Sequence, residues 1–159
     1  LEMCLHGNKA ENAYDITPGL IQKAEDRLWT VEGDAVDLIV TGCPHYSPAE
    51  FNRLVKLIKG KKVHSSVIFW VFTNRTVYAW IKNNGILADL IAGGVMVFTD
   101  GCALQYPKAR WDFSCAMSDS AKYANYCFSQ TGLNVLFAGT RDCVETAVSG
   151  KLQIESIWK

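Results

Sequence analysis

The sequence predicts an α/β fold: a three-layer sandwich in which helices cover both faces of a mostly parallel sheet of four to five strands. Apolar stretches of strand length alternate with amphipathic stretches of helix length along the chain, which is typical of repeated β-α units. Right-handed crossovers between such units place helices on both faces of one sheet. The chain has 159 residues, the size of one ordinary domain, so we expect a single α/β domain over residues 1–159.

The first predicted helix and strand follow a polar N-terminal stretch. Thr17 is a good helix N-cap, and Pro18 fits the first turn of a helix, where its missing N–H is not needed. Apolar residues then recur on one face of this helix. Residues 36–40 form a mostly apolar run that predicts the first strand. Residues 1–16 are expected to be irregular or to come from outside the natural domain, since the chain begins with Leu rather than Met.

A second helix and a central strand are predicted next. Ser47, with Pro48 and Glu50 behind it, has the pattern of a capping box at a helix start. Apolar residues then recur at helical spacing until Gly60 ends the run. Residues 67–72 form a nearly continuous apolar run, as expected of a strand that helices cover on both faces.

The second half of the chain repeats the alternation of helix and strand. A helix is predicted over residues 74–82, a short helix ends before Gly93, and a strand covers residues 95–98. The remaining predicted elements are a loop holding Gln105, Pro107 and Trp111, a short strand over 115–117, a helix over 119–126, a strand over 134–137 and a helix over 140–148.

Composition argues against several classes of partner. Sixteen basic and sixteen acidic residues give a formal net charge of zero, whereas a domain that binds nucleic acid normally carries a basic excess. No run approaches the roughly 20 apolar residues of a membrane helix, and no signal peptide opens the chain. No glycine loop of phosphate-binding spacing is present, so a nucleotide-binding module is the weakest alternative. We therefore expect a cytoplasmic protein that binds neither nucleic acid nor membrane.

Two of the six cysteines lie on small-residue turns directly after predicted strands: Cys43 in Gly-Cys-Pro and Cys102 in Asp-Gly-Cys. A chain with a core of this size does not need disulfides, so reduced thiols are expected. Ligands of parallel sheets collect at the carboxyl ends of the strands, where both thiols would lie. Spacing alone leaves two roles open, metal ligand and small packed residue. The other four cysteines are expected to be structural.

Other side chains at this edge also have two possible roles each. His45 is either a proton carrier or ligand, or a brace of its turn. Arg75 follows a strand and can bind a carboxylate with its guanidinium or form a structural ion pair. Ser120 and Lys122 begin a predicted helix, where free amides and a lysine can hold an anion, or where they form a plain N-cap with an exposed lysine.

Taken together and in order, the strand-end motifs resemble those of the aconitase X family. The matching stretches are VDLIVTGCPHYSPAEF, FWVFTNRTVY, GGVMVFTDGCALQYP, MSDSAKYANY and RDCVETAVSG. The resemblance extends from about residue 36 to residue 150 and corresponds to the C-terminal portion of the family's large part. It implies an aconitase-like domain that is a fragment of a larger lyase, with the remainder of the large part and a small swivelling part or subunit as partners.

The resemblance also implies a function: dehydration of a small hydroxy acid, of the hydroxyproline or phosphomevalonate class, at an iron or iron–sulfur centre. Cys43 and Cys102, at adjacent strand ends, would be ligands of this centre, with a third ligand outside the chain. His45 would be catalytic, and the substrate-binding residues would be Ser47, Thr73, Arg75, Ser120 and Lys122. The base is expected on the swivelling part, so the isolated chain should be inactive. The alternative is a stand-alone, non-catalytic binding or regulatory domain of the same fold.

Overall fold

The computed structural model describes residues 2–30, 33, 35–105 and 112–155. Within them the elements are, in chain order, α1 (Glu2–Leu5), α2 (Pro18–Asp26), β1 (Leu38–Thr41), α3 (Pro48–Ile58), β2 (Ile68–Thr73), α4 (Arg75–Asn83), α5 (Ile86–Ala92), β3 (Val95–Thr99), a 3-10 turn (Ala103–Gln105), β4 (Cys115–Ser118), α6 (Ala121–Thr131), β5 (Asn134–Phe137) and α7 (Thr140–Ser149). Pro107 and Trp111 of the predicted loop lie outside the described residues.

The five strands form one parallel sheet in the order β3-β2-β1-β4-β5, which confirms the predicted sheet. From β1 the chain first adds β2 and β3 on one side, and then returns to add β4 and β5 on the other side. The connections after β1 and β4 therefore leave in opposite directions. In sheets of this kind a crevice opens at the carboxyl ends of the two strands where the order reverses, and ligands bind there.

Helices cover both faces of the sheet because alternate strand residues point to opposite sides. Ile39 of β1 belongs to a core cluster that includes buried residues of α3, α4, α5 and α7. Its neighbours Leu38 and Val40 belong to a second cluster, which includes Tyr123 and Cys127 of α6. All four residues of β1 are buried. The three-layer arrangement predicted from the alternating pattern is thus confirmed.

The N-terminal part of the chain differs most from the sequence-based expectation. A short helix, α1, lies within the stretch that was expected to be irregular. Thr17 caps α2 as predicted, because its Oγ1 accepts the N–H of Leu20 at 3.3 Å. The apolar face of α2 is not part of the core, however, and Leu20 is 50% exposed. Among the described residues, no helix is long and apolar enough to cross a membrane.

Two other boundaries move for clear physical reasons. The first strand begins at Leu38 rather than at residue 36, because the carboxylate of Asp37 accepts the N–H groups of Ser114 and Cys115 at 2.8 and 3.1 Å. Helix α6 continues to Thr131, five residues beyond the predicted end, and stops at Gly132, which has a left-handed conformation. Cys127 and Phe128 continue the apolar pattern, but the last three residues, Ser129, Gln130 and Thr131, are polar, so the pattern does not reveal the end of the helix.

Candidate functional site

The first cysteine turn, residues 42–46, is joined to the end of β2 by backbone contacts. The N–H of Tyr46 donates to the carbonyl of Phe72 at 3.0 Å, and the hydroxyl of Thr73 donates to the carbonyl of Tyr46 at 2.8 Å. Gly42 has a φ of 87° and lies against the backbone of Phe72, where a Cβ would be 2.8 Å from the amide nitrogen. Only glycine fits this position, so the turn fixes Cys43 relative to the sheet.

The second cysteine turn, residues 100–102, is held by polar groups near the surface. The backbone N–H of Asp100 donates to the Thr73 carbonyl at 2.9 Å. Its carboxylate accepts the Nε and the backbone N–H of Arg75 at 2.7 and 3.2 Å, and this ion pair lowers the pKa of Asp100. The Nε2 of His45 lies 2.8 Å from the Gly101 carbonyl. A carbonyl can only accept, so the imidazole donates and links the two turns.

Cys43 and Cys102 line one smaller cavity of about 250 Å³ together with His45 and Lys122. The expectation that they lie at adjacent strand ends is wrong, because β2 stands between β1 and β3. The two turns meet beyond the end of β2 instead. Burial raises the pKa of the Cys43 thiol; the Lys122 ammonium and a hydrogen bond with Ser120 oppose that shift, and Cys102 adds to it.

A larger cavity of about 360 Å³ opens beside the first one. It shares Cys43, Pro44 and Lys122 with the smaller cavity. Its other lining residues are Tyr46, Glu50, Arg53, Asp119, Ser120, Ala121 and Thr140. These residues come from the connections that follow β1, β4 and β5, so the cavity lies at the crevice where the strand order reverses.

Ser120 connects helix α6 to the first cysteine turn. Its Oγ accepts the N–H of Tyr123 at 3.0 Å, which makes it the N-cap of the helix. The same hydroxyl donates to the carbonyl of Cys43. Lys122, in the first turn of α6, is exposed and lines both cavities. The first turn of α6 therefore presents a cation and a helix N-terminus to the space beside Cys43.

A partly buried carboxylate cluster in the larger cavity is the main feature that the motif analysis misses. Oδ2 of Asp119 accepts the hydroxyls of Tyr46 and, at 2.8 Å, Thr140. Burial raises the pKa of Asp119, although both hydroxyls act against this shift. Burial, together with the neighbouring Asp119, also raises the pKa of Tyr46. The three residues follow β1, β4 and β5, and only the order of the strands reveals that their positions converge.

The other predicted site residues support the site without lining either cavity among the described residues. Thr73 is fully buried, and its hydroxyl donates to the Tyr46 carbonyl. Ser47 caps α3: its Oγ accepts the N–H of Glu50 at 3.4 Å and its own N–H donates to Glu50 Oε2 at 2.7 Å, which completes the predicted capping box. The side chain of Arg75 is 83% exposed and is engaged with Asp100. Direct contact of these three residues with a substrate remains a prediction.

The donor set for a metal is incomplete within the described part of the chain. No group of three or more His, Cys, Asp or Glu side chains there is placed to hold a metal ion. Cys43 and Cys102 provide two sulfur donors in one cavity. All six cysteines are free thiols, as expected, with Cys115, Cys127 and Cys143 buried. The two converging thiols fit two positions of a metal centre, and any further ligand must come from elsewhere.

Known proteins resemble this chain in sequence. Cis-3-hydroxy-L-proline dehydratase of Pseudomonas aeruginosa is 38% identical over 118 residues, which cover 73% of this chain and 20% of that protein. The phosphomevalonate dehydratase large subunit of Methanosarcina mazei is 28% identical over 133 residues, covering 83% of this chain and 32% of that one. The chain thus spans between a fifth and a third of the length of these relatives.

The fold and a family model lead to the same group of proteins. The crystal structure of Thermococcus kodakaraensis aconitase X in its holo-form matches with a TM-score of 0.69 and 21% identity, over 80% of this chain and 32% of that one. The family model described as the aconitase X third domain matches residues 36–149, which contain both cysteine turns, the sheet and all helices from α3 to α7. The chain belongs to the aconitase X family.

Proposed function

We propose that this domain is part of an aconitase-X-type hydro-lyase that dehydrates a small hydroxy acid of the hydroxyproline or phosphomevalonate class. The observation that carries the proposal is the convergence of Cys43 and Cys102 on one cavity, next to Lys122. Family membership and the names of the relatives support the same reaction class. Because the described residues supply two thiol donors and the base is assigned to the swivelling part, the isolated chain is expected to be inactive.

Cys43 and Cys102 would hold an iron ion or an iron–sulfur cluster together with a ligand from outside this chain. Thiolate sulfur is a preferred donor for iron in such centres. When bound, the centre supplies a Lewis acid for the departing hydroxyl group. The thiol of Cys43 must lose its proton to become a ligand, and the ammonium of Lys122 favours that loss.

The remaining site residues bind the substrate or hold the two turns in place. Lys122 and the N-terminus of α6 would bind the carboxylate or phosphate, while Ser120 fixes that helix on the first cysteine turn. His45 lines the smaller cavity as the proposed catalytic residue, and its hydrogen bond to Gly101 orients the ring. Arg75 holds the second turn through its hydrogen bond to Asp100. Thr73 holds the first turn by donating to the Tyr46 carbonyl, and Ser47 caps α3 directly after that turn.

The remainder of a larger dehydratase and a small swivelling part would complete the site. The dehydration needs a base for the neighbouring proton, and we assign this base to the swivelling part. Tyr14, Ile16 and Leu20 expose 82%, 80% and 50% of their surface ahead of the matched domain. We propose that these three side chains pack against the remainder of the large part, because burial of exposed apolar surface is favourable. The free thiols are consistent with a cytoplasmic location.

Iron and sulfide content after anaerobic reconstitution tests the proposal. The chain is compared with its Cys43→Ser and Cys102→Ser variants. Cys4→Ser serves as the control, because Cys4 is exposed and lies outside the matched domain. We expect iron to bind to the unmodified chain and the control, and to be lost from both site variants.

The other outcomes separate the alternatives. If both site variants keep their iron, the two thiols are not ligands. If the unmodified chain binds no iron, the domain by itself is a scaffold, and the same comparison on the complete enzyme, which supplies the outside ligand, separates a divided site from a stand-alone binding or regulatory domain. Dehydration of a hydroxy acid by the isolated chain at an ordinary enzymatic rate would show that the site is not divided between this chain and other parts.

A further inference from the structure

The carboxylate of Asp119 lies in the wall of the larger cavity, and among the described residues it forms no ion pair. Its two hydrogen-bonding partners, Tyr46 and Thr140, donate to the same oxygen, Oδ2. Among the described residues, no side chain donates to Oδ1. The ion pairs formed by this part of the chain lie elsewhere, between Lys59 and Asp89, Arg75 and Asp100, and Arg141 and Glu145. A partly buried carboxylate without an ion-pair partner gains from a cation that joins it.

The cavity as a whole contains equal numbers of positive and negative side chains. Arg53 and Lys122 contribute two positive charges to its lining, and Glu50 and Asp119 contribute two negative charges. Glu50 is engaged with Ser47, whose N–H and hydroxyl both donate to Oε2 at 2.7 and 2.6 Å. A substrate with no net charge suits such a lining better than a phosphorylated acid with several negative charges, because Asp119 repels the additional anion.

We propose that Asp119 binds the ammonium group of a hydroxy amino acid, and that this contact selects an amino-acid substrate over a phosphorylated hydroxy acid. The inference rests on the proposed dehydratase function and names the substrate class of that same site. The relatives include enzymes named for each of the two classes, a hydroxyproline and a phosphomevalonate. Family membership alone therefore does not choose between them.

The positions of the charged groups match an α-amino acid. Asp119 precedes the N-cap of α6 and Lys122 lies in its first turn, so the two side chains flank one helix N-terminus. An α-amino acid carries its ammonium and its carboxylate on the same carbon atom. Asp119 can accept from the ammonium while Lys122 and the helix N-terminus bind the carboxylate. Cys43 lines the same cavity, so the substrate then lies beside the proposed metal ligand.

A purely structural role for Asp119 is the alternative that the test must separate. The carboxylate lies near the N-termini of two helices, since Thr140 is the first residue of α7. Helix N-termini stabilise negative charge without any ligand. In that case the carboxylate would join α6, α7 and the Tyr46 side chain, and its replacement would change stability without changing ligand preference.

The test measures ligand binding to the 159-residue chain by shifts of backbone amide signals in NMR titrations. The three probes are cis-3-hydroxy-L-proline, 3-hydroxytetrahydrofuran-2-carboxylate and 5-phosphomevalonate. The second probe has a ring oxygen in place of the ring ammonium and otherwise keeps the same shape. Each is titrated into the unmodified chain, Asp119→Asn and Glu50→Gln. Glu50→Gln is the matched control, because it removes one negative charge from the same cavity at a carboxylate on α3, away from the N-terminus of α6.

We expect the hydroxyproline to bind at least tenfold more tightly than the ether analogue, the usual effect of one charge-assisted hydrogen bond. Asp119→Asn should remove this preference, and Glu50→Gln should keep it. The inference is overturned if the ether analogue or 5-phosphomevalonate binds as tightly as the hydroxyproline, if Asp119→Asn keeps the preference, or if the hydroxyproline causes no saturable shifts around Ser120 and Lys122.

Dehydration assays on the complete enzyme that contains this domain separate the two proposals. Turnover of 5-phosphomevalonate in preference to the hydroxyproline would support the dehydratase function and refute the role of Asp119. Absence of turnover with either substrate, together with an ammonium preference that depends on Asp119, would refute the dehydratase function and retain the binding site.

Discussion

The two cysteine turns present their thiols to the same cavity, but the fold holds them in different ways. In the first turn, residues 42–46, the backbone itself is bonded to β2 and Gly42 lies against that strand without a side chain. The second turn, residues 100–102, is held mainly by the exposed ion pair between Arg75 and Asp100 and by the hydrogen bond from the His45 imidazole to the Gly101 carbonyl. Cys43 is thus placed by the core of the sheet, whereas the position of Cys102 depends on side chains at the surface.

This difference shows how a parallel sheet can bring together residues from strands that are not neighbours. Strand β2 lies between β1 and β3, the strands that lead into the two cysteine turns, and strands two positions apart in a sheet are about 9.6 Å apart, twice the spacing of neighbours. The turns close that gap only beyond the end of β2, where His45 reaches Gly101. We expect substitutions in the first turn to affect folding, and substitutions around the second turn to affect the metal.

Gly42→Ala is expected to have the largest effect on stability. A Cβ at this position would collide with the backbone of Phe72, and alanine rarely adopts the φ of 87°. We expect the free energy of unfolding to fall by about 3 kcal/mol, measured by urea denaturation.

Gly60→Ala is the matched control for this substitution. Gly60 has a φ of 76°, and a Cβ there would meet no atom within 4 Å. Alanine at this position is strained by the left-handed backbone but collides with nothing, so the free energy of unfolding should fall by about 1 kcal/mol. Equal losses in the two variants would show that contact with β2 does not determine the conformation of the first turn.

Arg75→Ala is expected to weaken metal binding far more than folding. The Arg75 side chain is mostly exposed, so its loss should change the melting temperature little. The variant loses the Nε hydrogen bond to Asp100 and keeps only the longer one from the backbone N–H of residue 75, which loosens the second turn and with it Cys102. Residues that orient metal ligands commonly change metal affinity by about tenfold or more, and we expect a change of that size in iron affinity.

Lys59→Ala provides a second exposed ion pair as control, since Lys59 pairs with Asp89 at 3.0 Å, away from the lining of both cavities. Iron affinity and melting temperature are measured on both variants under the same conditions. An Arg75→Ala protein that binds iron as well as Lys59→Ala would contradict the positioning role of Arg75.

The order in which the thiols react with a maleimide should also reflect the difference between the two cysteine turns, with a smaller effect. Cys4 is exposed and should react first. We expect Cys102 to react before Cys43, because the second turn is held by fewer backbone contacts and burial raises the pKa of Cys43. Burial also raises the pKa of Cys115 to about 11, so this thiol should react only on unfolding. Mass spectrometry of timed samples gives the order, and earlier labelling of Cys43 than of Cys102 would contradict it.

Most of the fold follows from local patterns that one sequence contains. The capping box at Ser47 and the apolar run of β2 each predict their element to within about a residue. The α2 helix is a different case: Thr17 and Pro18 mark its start correctly, but its apolar face is not buried in the described structure. Amphipathic spacing predicts which residues share a face of the helix, but it does not predict what covers that face.

The site could be predicted only in part, because its geometry depends on the order of strands. Cys43 and Cys102 follow their strands as expected, yet the sequence gives no reason to place β2 between them. Arg75 has the chemistry of an anion binder, but Asp100 is close enough in space to take its guanidinium. The cluster around Asp119 joins residues 73 and 21 positions away in the chain, and no local motif encodes such contacts.

Asp119→Asn is expected to have the smallest effect, a change in how stability depends on pH. The folded chain raises the pKa of Asp119 above its ordinary value of 3.8, so folding favours the protonated form. This favourable contribution is complete below about pH 4 and is lost as pH rises through the folded pKa. At neutral pH the ionised carboxylate is therefore destabilising, and the neutral asparagine should melt at the same temperature as the unmodified chain or a few degrees higher. The difference should disappear near pH 4 in melting curves followed by circular dichroism. A lower melting temperature for Asp119→Asn at pH 7 would instead favour the structural role, in which the ionised carboxylate joins α6 and α7.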